Sequence, residues 1–370
     1  MKWGGRILVP ILLIFLLSFT ECILSLNKDF NSIGPVFIRN GRFLEPNTKK
    51  GDIAFNRSET VLVSCPKRKI VLANQTTSYD TLSGPKDPQF QGHSLVGYQV
   101  RSTFHPIYEA CFDKNLVRTH FVQHRLTPNS VFRQNGLKRP QFTEGNLFGK
   151  TRMNEIYKMN NQVKALDAIL GPNMGNNYLS KNQVGKRFLS RGHLAANADF
   201  ATSALIRATF HYVNTAPQWM RGNAGDWAAL EEGLRRRVHE LGTPVMVFTG
   251  THGIMTLPDK EGRMKEIFLH ADLNNNFDVS VPMYFYKLVY EPTQKRASVF
   301  ITINSSFYND TVTDSLVFCN NTCDKDDYYN NFNWLRWRSN DGTFSFCCDY
   351  EQFVRKVNYL PKLDVRGRFY

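Results

Sequence analysis

The most regular pattern in this sequence is an apolar stripe that follows Asp226. Asp226 is a favourable N-cap residue, because its short side chain can accept a hydrogen bond from a free amide of the first turn. The apolar residues recur at i, i+3, i+7, i+11 and i+14, which places them on one face of a helix over residues 227–241. The stripe consists of Trp227, Leu230, Leu234, Val238 and Leu241.

Short runs of β-branched and aromatic residues predict a largely antiparallel sheet that carries this helix. Two of the runs are expected to pair around the turn Asp113-Lys114-Asn115, which places Arg118 early in the second strand. One sheet with packed helices makes the predicted fold class α+β. The runs lie at residues 98–100, 108–112, 117–122, 244–249, 284–290 and 297–303.

The segments between these strands differ in how well they predict structure. A second helix is predicted over residues 154–170, where apolar residues recur at helical spacing before a Gly-Pro pair. Residues 187–194 predict a strand that enters an irregular turn, in which Gly192 gives the backbone freedom. Residues 203–212 fit a short helix or a strand, and residues 214–225 are predicted to be a loop.

The N-terminus has the pattern of a secretory signal. Lys2 and Arg6 precede the apolar run 7–19, which is shorter than the roughly 20 residues of a membrane span. We expect residues 1–25 to be the signal, and a buried N-terminal helix is the alternative. Because no later apolar stretch approaches membrane-span length, the mature chain is predicted to be secreted, with no membrane partner.

Cysteine parity helps to place the predicted cleavage. A cut after Thr20 would leave seven cysteines, whereas a cut near Ser25 removes Cys22 and leaves six. An even number suits disulfides in an oxidising compartment. Zinc is the alternative for the last four, although adjacent cysteines are poor tetrahedral ligands. The six are Cys65, Cys111, Cys319, Cys323, Cys347 and Cys348.

At 370 residues the chain exceeds the usual size of one domain. We expect a β-rich N-terminal region over 26–95, a main domain over 96–305 and a Cys-rich C-terminal extension over 306–370, pinned by disulfides. Five N-glycosylation sequons fit the same export route and predict a glycoprotein. They are centred on Asn56, Asn74, Asn304, Asn309 and Asn320.

The positive charge of the chain indicates that its binding partner is an anion. The formal net charge is +14, with 46 Lys and Arg residues. So basic a chain is typical of proteins that bind nucleic acid, because phosphate contacts with Lys and Arg release counterions. Charge alone also fits heparin-like sugars or an anionic membrane surface.

The segment from 188 to 238 concentrates side chains that suit the hydrolysis of phosphodiesters. His193 can act as a general base near neutral pH, and Arg191 can hold a phosphate oxygen with its planar guanidinium. An Asn carbonyl oxygen suits Mg²⁺, which prefers oxygen ligands. Each residue alone has a simpler role, since Glu231 and Arg235 would form an ordinary helix ion pair. Their joint spacing favours the chemistry.

In this order and spacing, these residues resemble the DNA/RNA non-specific endonuclease family, the ββα-metal (His-Me finger) nucleases that include endonuclease G. The resemblance covers roughly residues 97–305, and the secreted context is closest in character to secreted arthropod nucleases, including double-stranded RNases. The matching positions are Arg191-Gly192-His193, Asn214, Pro217-Gln218, Asn223, Trp227, Leu230-Glu231 and Arg235.

The resemblance implies a secreted Mg²⁺-dependent endonuclease that cuts DNA and RNA, double-stranded RNA included, with little sequence preference. His193 would be the general base, and Asn223 would be the single direct protein ligand of Mg²⁺, for which Mn²⁺ is a substitute. Glu231 would orient metal-bound water. Asn214 would position either His193 or the phosphate.

The resemblance also implies contacts to the phosphate from Arg191 and Arg235. Arg118, placed by its strand position, would be a further transition-state contact. Many family members have Asp where this chain has Ser190, so we expect changed hydrogen bonding there. The alternatives are a catalytically weak nucleic-acid-binding protein on the same fold and a binder of heparin or membrane surfaces. The presence of both His193 and Asn223 favours the enzyme.

Overall fold

The computed structural model describes residues 21–29, 34–56, 59–64, 71–74, 93–145, 147–180, 187–271, 277–323, 331–336 and 344–370. The strands are β1 (Glu21–Ser25), β2 (Val36–Arg39), β3 (Arg42–Phe43), β4 (Asp52–Asn56), β5 (Leu62–Ser64), β6 (Val71–Asn74), β7 (His93–Val100), β8 (Thr103–Asp113), β9 (Arg118–Leu126), β10 (Leu189–His193), β11 (Thr215–Trp219), β12 (Val245–His252), β13 (Thr256–Pro258), β14 (Met264–Glu266), β15 (Phe268–Ala271), β16 (Phe277–Ser280), β17 (Tyr284–Glu291), β18 (Arg296–Ile303) and β19 (Ser345–Cys348). The α-helices are α1 (Leu26–Asp29), α2 (Met153–Ile156), α3 (Met159–Leu170), α4 (Met174–Tyr178), α5 (Ser203–Ala208), α6 (Met220–Ala224), α7 (Asp226–Leu241), α8 (Asp310–Ser315) and α9 (Tyr350–Lys356). Short 3₁₀ turns lie at Pro128–Phe132, Asn197–Asp199 and Tyr212–Asn214.

Among the described residues, an eight-stranded antiparallel sheet forms the centre of the fold, in the order β19-β18-β17-β12-β9-β8-β7-β6. This confirms the predicted α+β class and the predicted hairpin, because β8 and β9 pair directly. The three later predicted strands correspond to β12, β17 and β18. The sheet runs across both predicted boundaries, at 95 and 305, because β6 lies before the first and β19 after the second.

The two faces of this sheet carry separate apolar clusters, because neighbouring side chains along a strand point to opposite sides. On one face, Phe285 packs in the same cluster as Trp227 of α7, with their ring centres 5.6 Å apart. On the other face, Tyr286 contacts Phe353 of α9, with ring centres 4.9 Å apart. Helix α7 therefore covers one face and the C-terminal segment covers the other.

Helix α7 confirms the helix predicted over residues 227–241. It ends at Gly242, whose φ of +72° lies in the left-handed region that glycine adopts without strain. The predicted cap is wrong, because Gly225 is the N-cap and Asp226 is the first helical residue. Asp226 has another partner, since its Oδ2 accepts a hydrogen bond of 2.9 Å from Ser345 Oγ in β19.

The helix predicted over 154–170 is two helices, α2 and α3. The break falls at Tyr157 and Lys158, where Lys158 has the extended backbone of an N-cap. Side chains satisfy the carbonyls that the break exposes, since Gln162 Nε2 donates to Tyr157 O at 3.0 Å and Asn161 Nδ2 donates to Glu155 O at 2.8 Å. The helical spacing of the apolar residues continues through the break, so the sequence predicted one helix. Side-chain hydrogen bonds stabilise the break.

The loop predicted over residues 214–225 is wrong, because this segment forms β11 and α6. Strand β11 pairs with β10, and Pro217 stands opposite Arg191 in this two-stranded sheet. A proline is tolerated there because a strand with one neighbour needs no amide on its free side. The segment 203–212, which fitted either a helix or a strand, begins with helix α5.

Two disulfides pin the C-terminal extension, as the cysteine pattern predicted. They join Cys319 to Cys348 and Cys323 to Cys347, so these four cysteines are not a zinc site. Cys111 is a buried free cysteine in β8, and burial raises the pKa of its thiol to about 12. Cys65, the last of the predicted six, lies outside the described residues.

The structure bears on the predicted signal, on the predicted sequons and on the prediction of no membrane span. Residues 1–20 of the predicted signal lie outside the described residues, while residues 21–25 form β1 and pair with β4. The sequon at Asn304 is not accessible in the fold, because Asn304 is buried and its amide bonds Trp219 N, Pro217 O and Pro282 O. Asn309 and Asn320 are exposed. None of the helices in the described ranges is long and apolar enough to span a membrane.

Candidate active site

Strands β10 and β11 and helices α6 and α7 form a compact ββα unit, with helix α5 in the connection between the two strands. His193 is the last residue of β10 and stands opposite Thr215 of β11. Asn223 lies in α6, and Glu231 and Arg235 lie one turn apart on α7. The motif residues of the sequence are therefore carried by neighbouring elements of one unit that packs on the central sheet.

Gly192 is needed because β10 and β11 approach closely beside it. A Cβ atom at this position would lie 2.5 Å from Gln218 Oε1 and 3.1 Å from Ala216 O. Its φ is not in the left-handed region, so the backbone freedom that the sequence suggested is not the reason for glycine here. Close packing next to His193 is the reason.

The His193 ring lies in an aromatic pocket. Its centre is 4.9 Å from the Phe210 ring and 5.2 Å from the Phe142 ring. Burial, together with the positive charge of Arg139, lowers the pKa of His193 to about 3. Its Nε2 is buried and has no hydrogen-bond partner among the residues that the structure describes. The ring is therefore neutral and has an unused nitrogen.

Asn214 fixes the chain that follows His193. Its Oδ1 accepts from Ala195 N at 2.8 Å, and its Nδ2 donates to Ala195 O and Thr209 O at 2.9 and 3.0 Å. Asn214 is fully buried, so its whole amide is used inside the protein. Of the two roles that the resemblance implied, the structure favours positioning of His193 over contact with a phosphate.

Ser190 orients the amide of Asn223. Ser190 Oγ donates to Gln218 O at 2.8 Å, so this hydroxyl can only accept from Asn223, whose Nδ2 lies 2.9 Å away. The amide nitrogen of Asn223 therefore faces Ser190, and its Oδ1 faces away. This Oδ1 makes no hydrogen bond with the described residues and is a free carbonyl oxygen of the kind that Mg²⁺ prefers.

Arg191 is held by aromatic side chains. Its Nε donates to Tyr212 Oη at 2.7 Å, and Tyr212 Oη donates to Asn154 Oδ1 at 2.8 Å. Its guanidinium carbon lies 4.8 Å from the centre of the Tyr157 ring and 5.5 Å from that of Phe142. Cation–π contacts and one hydrogen bond fix the orientation of this guanidinium. Its two terminal nitrogens make no hydrogen bond with the described residues.

Arg139 is a site residue that sequence reasoning missed. It is exposed, and its guanidinium carbon lies 5.5 Å from the centre of the Phe210 ring, which also contacts His193. It forms no ion pair with the described residues, so its charge is free for an anion. Helices α2, α3 and α4 lie between Arg139 and β10 in the chain, and the sequence carries no spacing that links Arg139 to His193.

Glu231 and Arg235 belong to a buried network of charges behind His193. Arg235 Nη1 lies 3.1 Å from Asp199 Oδ1, and Asp199 Oδ2 lies 3.0 Å from His124 Nε2. Burial raises the pKa of Glu231 to about 7, while the charge of Lys287 opposes that rise most strongly. The side chain of Arg235 is only 15% exposed, so the structure commits it to Asp199 and does not present it to a phosphate.

Arg118 lies at the edge of this cluster, where it lines a small cavity together with Tyr212 and Pro217. Arg118 Nη2 lies 3.3 Å from His120 Nδ1, and the His120 ring contacts Tyr359 of the C-terminal segment at 5.2 Å. The phosphate contact of Arg118 stays a prediction.

No group of three or more His, Cys, Asp or Glu side chains in the described ranges is arranged to hold a metal ion. A site with Asn223 as its single protein ligand does not need such a group, because Mg²⁺ keeps several waters. The free Oδ1 of Asn223 therefore fits a hydrated divalent cation.

The chain matches the family model described as DNA/RNA non-specific endonuclease over residues 90–353. It belongs to the DNA/RNA non-specific endonuclease family. The protein is therefore a nuclease of a metal-dependent hydrolase family, and its substrate is nucleic acid. The match extends past residue 305 and includes β19.

Two relatives are similar to the chain. "Salivary endonuclease" of Lutzomyia longipalpis is 30% identical over 303 residues, which cover 80% of this chain and 69% of that protein. "Salivary protein Tsal2A" of Glossina morsitans morsitans is 24% identical over 184 residues, which cover 49% of this chain and 44% of that protein. Among solved structures, one titled "Crystal structure of the EndoG/EndoGI complex: Mechanism of EndoG inhibition" matches 57% of this chain and 76% of its own, at 21% identity and a TM-score of 0.36.

Proposed function

We propose that this endonuclease is secreted and uses Mg²⁺ to hydrolyse phosphodiester bonds of DNA and RNA, double-stranded RNA included. The observation that carries the proposal is a neutral His193 whose Nε2 is unused among the described residues, next to the exposed guanidinium of Arg139. A neutral imidazole can take a proton from water, and a guanidinium can hold the charged phosphate that the water attacks.

His193 acts as the general base in this proposal. Burial and Arg139 keep its pKa low in the free protein, where it carries no proton. A bound phosphate brings negative charge to the same place, and an opposite charge raises the pKa of an imidazole. The base therefore becomes stronger when substrate is present. Asn214 supports it by fixing Ala195, two residues after His193.

Asn223 Oδ1 would hold the metal ion, with Ser190 fixing the direction of the amide. When bound, Mg²⁺ would supply positive charge at the phosphate and make its water more acidic, and Mn²⁺ would substitute for it. The Glu231 carboxylate of α7 would accept hydrogen bonds from water at the site and so orient it. Ser190 accepts a hydrogen bond from the Asn223 amide and so orients its Oδ1. This contact supports activity, although the chain has Ser where many family members have Asp.

We assign the phosphate contacts to Arg191 and Arg139. Both present guanidinium groups that aromatic rings orient and that no carboxylate of the described residues neutralises. Arg235 instead stabilises Asp199 and the ionised form of Glu231, and Arg118, which bonds to His120, stays a further proposed contact at the edge of the unit. Contacts to the phosphate read no base, which fits cleavage of both DNA and RNA.

Secretion is supported by two disulfides and by relatives whose names place them in saliva. Disulfides persist in oxidising compartments and are rare in the cytosol. Exposed sequons at Asn309 and Asn320 also suit an exported glycoprotein. The β-rich N-terminal region, the nuclease domain and the Cys-rich extension stay a proposed division of the chain.

The alternative is a protein that binds nucleic acid on this fold without turning it over. The test is to incubate the purified chain with circular plasmid, single-stranded RNA and double-stranded RNA, with Mg²⁺ and with EDTA. We expect all three to be cut with Mg²⁺ and none with EDTA. Binding without cleavage in Mg²⁺ or Mn²⁺ would favour the alternative, and cleavage of only one substrate would narrow the proposed range.

Replacing Asn223 by Ala is expected to raise the Mg²⁺ concentration needed for half-maximal rate by at least about tenfold, because the site has no second protein ligand. Ser190→Ala should raise it less, since the amide oxygen is still present but loses its orientation. The measurement is a Mg²⁺ titration of the initial rate, with Asn320→Ala as an exposed control. An unchanged titration for Asn223→Ala would place the metal elsewhere.

Arg191→Ala and Arg139→Ala are expected to weaken substrate binding and to slow the saturated rate, because their contacts strengthen as charge builds on the phosphate. Each should also reduce the slope of log Kd against log salt by about one. Binding is measured without Mg²⁺ and the single-turnover rate with it. The exposed Lys362→Ala is the control that should affect binding alone. If all three variants lost binding equally and kept the saturated rate, Arg191 and Arg139 would be only part of a basic surface.

A further inference from the structure

We propose that Lys287 is a positioning residue for the hydrolytic site, and that its buried positive charge, placed beneath the first turns of α7 by the central sheet, stabilises the ionised Glu231 carboxylate without a direct contact. This inference rests on the proposed function, because Lys287 acts through Glu231. Neither the motif nor the arrangement of ligands around Asn223 includes Lys287, which lies on β17, far from α7 in the sequence.

Lys287 occupies a position that suits an apolar residue. It lies in β17 between Phe285 and Val289, which face α7 from the same side of the sheet and are fully buried. Lys287 itself has no exposed surface. A buried ammonium group loses its hydration and is strongly destabilising unless an opposite charge and hydrogen bonds replace the water. A lysine in this row therefore requires a partner.

The contacts of Lys287 direct its charge toward α7. Its Nζ donates to Thr249 Oγ1 at 2.7 Å, and Thr249 stands directly opposite it in β12. The same nitrogen lies 5.1 Å from the centre of the Trp227 ring. Trp227 is one helical turn before Glu231, so the ammonium group lies beneath the turn that carries the carboxylate. Thr249 uses one of the three ammonium protons, which leaves the others for groups on the α7 side.

Among the described residues, the hydrogen bond of the Lys287 ammonium group is with Thr249, so its charge acts on Glu231 across a longer distance than an ion pair. The carboxylates that favour the charged form of Lys287 are Glu231 first and Asp199 second. Asp199 already has Arg235 and His124 within 3.1 and 3.0 Å. For Glu231, Lys287 is the largest influence that lowers the carboxyl pKa against the effect of burial, ahead of Arg235. Lys287 from β17, Asp199 from the 3₁₀ turn and Arg235 from α7 are thus the charges that act on Glu231.

A purely structural charge would use the same contacts, so the test must separate the two roles. Lys287→Met keeps the length of the side chain and removes the charge. We expect it to lower kcat and to move the acidic limb of the pH profile of kcat/KM, which reports the pKa values of the free protein, up by at least about one pH unit, because Glu231 loses its counter-charge. Thr249→Val is the matched control, which removes the hydroxyl contact and keeps the charge, and it should leave the limb in place.

The second measurement is a double-mutant cycle. If Lys287 acts through Glu231, the double variant Glu231→Gln with Lys287→Met should be no slower than Glu231→Gln alone. A structural role predicts a lower melting temperature for Lys287→Met with an unmoved pH limb, or a further loss of rate in the double variant, and either result overturns the proposal. If Lys287→Met does not fold, Lys287→Gln carries the same test. A normal rate for Glu231→Gln would instead overturn the proposed role of Glu231, and that of Lys287 with it.

Discussion

His193→Ala is expected to cleave nucleic acid at least about a hundredfold more slowly than the unaltered protein, the lower range for loss of a general base. The reason is geometric, because His193 Nε2 is the unused imidazole nitrogen beside the free charge of Arg139. The other motif side chains cannot replace His193, because the Asn214 amide is hydrogen-bonded to the backbone and Arg235 forms an ion pair with Asp199. The measurement is the single-turnover rate at saturating protein.

The control for this prediction must separate lost chemistry from lost packing. Removing the ring leaves a gap between Phe142 and Phe210, which costs some stability. His193→Gln fills more of that gap and should be just as slow if the base is what matters. His270→Ala, at a partly exposed histidine outside the site, should retain the full rate. A folded His193→Gln protein with a normal rate would remove His193 from the mechanism.

The second large effect is expected at Glu231, and it concerns pH. Burial raises the pKa of this carboxyl to about 7, so Glu231 gains a proton as the pH falls below that value. A protonated carboxyl accepts hydrogen bonds from water poorly, and the rate should fall about tenfold for each further pH unit. His193 does not cause this fall in the free protein, because its own pKa is about 3 and it stays neutral throughout that range.

Glu231→Gln tests this assignment. The amide cannot ionise, so the variant should lose about ten- to a hundredfold in rate at pH 8 and should lose the acidic limb of its kcat/KM profile, which reports the pKa values of the free protein. Glu240→Gln, on an exposed part of the same helix, is the matched control and should keep both the rate and the limb. An acidic limb that persists at the same midpoint in Glu231→Gln would mean that another group titrates there.

Local patterns in the sequence predicted the parts of the site that one ββα unit carries. The helix over 227–241 follows from its apolar stripe, and the roles of His193 and Asn223 follow from the resemblance, which fixes their order and spacing. Within the same unit, β11 was missed because Pro217 argues against a strand. A proline is unfavourable mainly in a strand with a hydrogen-bonded neighbour on each side, and β11 has one neighbour, β10.

Contacts between distant elements explain what the sequence did not predict. Arg139, Phe142 and Phe210 surround His193, but they come from separate segments whose proximity no spacing expresses. Lys287 sits in an apolar strand pattern, and only the packing of β17 against α7 shows that its charge lies beside Trp227, one turn before Glu231.

The contact between Ser345 and Asp226 has a consequence for the order in which the protein folds. The two residues are 119 positions apart, so the first turn of α7 gains this partner only after almost the whole chain has been synthesised. Closing so long a loop is slow, because its entropy is lost before the contact forms. The disulfide between Cys323 and Cys347 then holds β19 in place. The catalytic helix is therefore one of the last elements to be completed, although it lies near the middle of the chain.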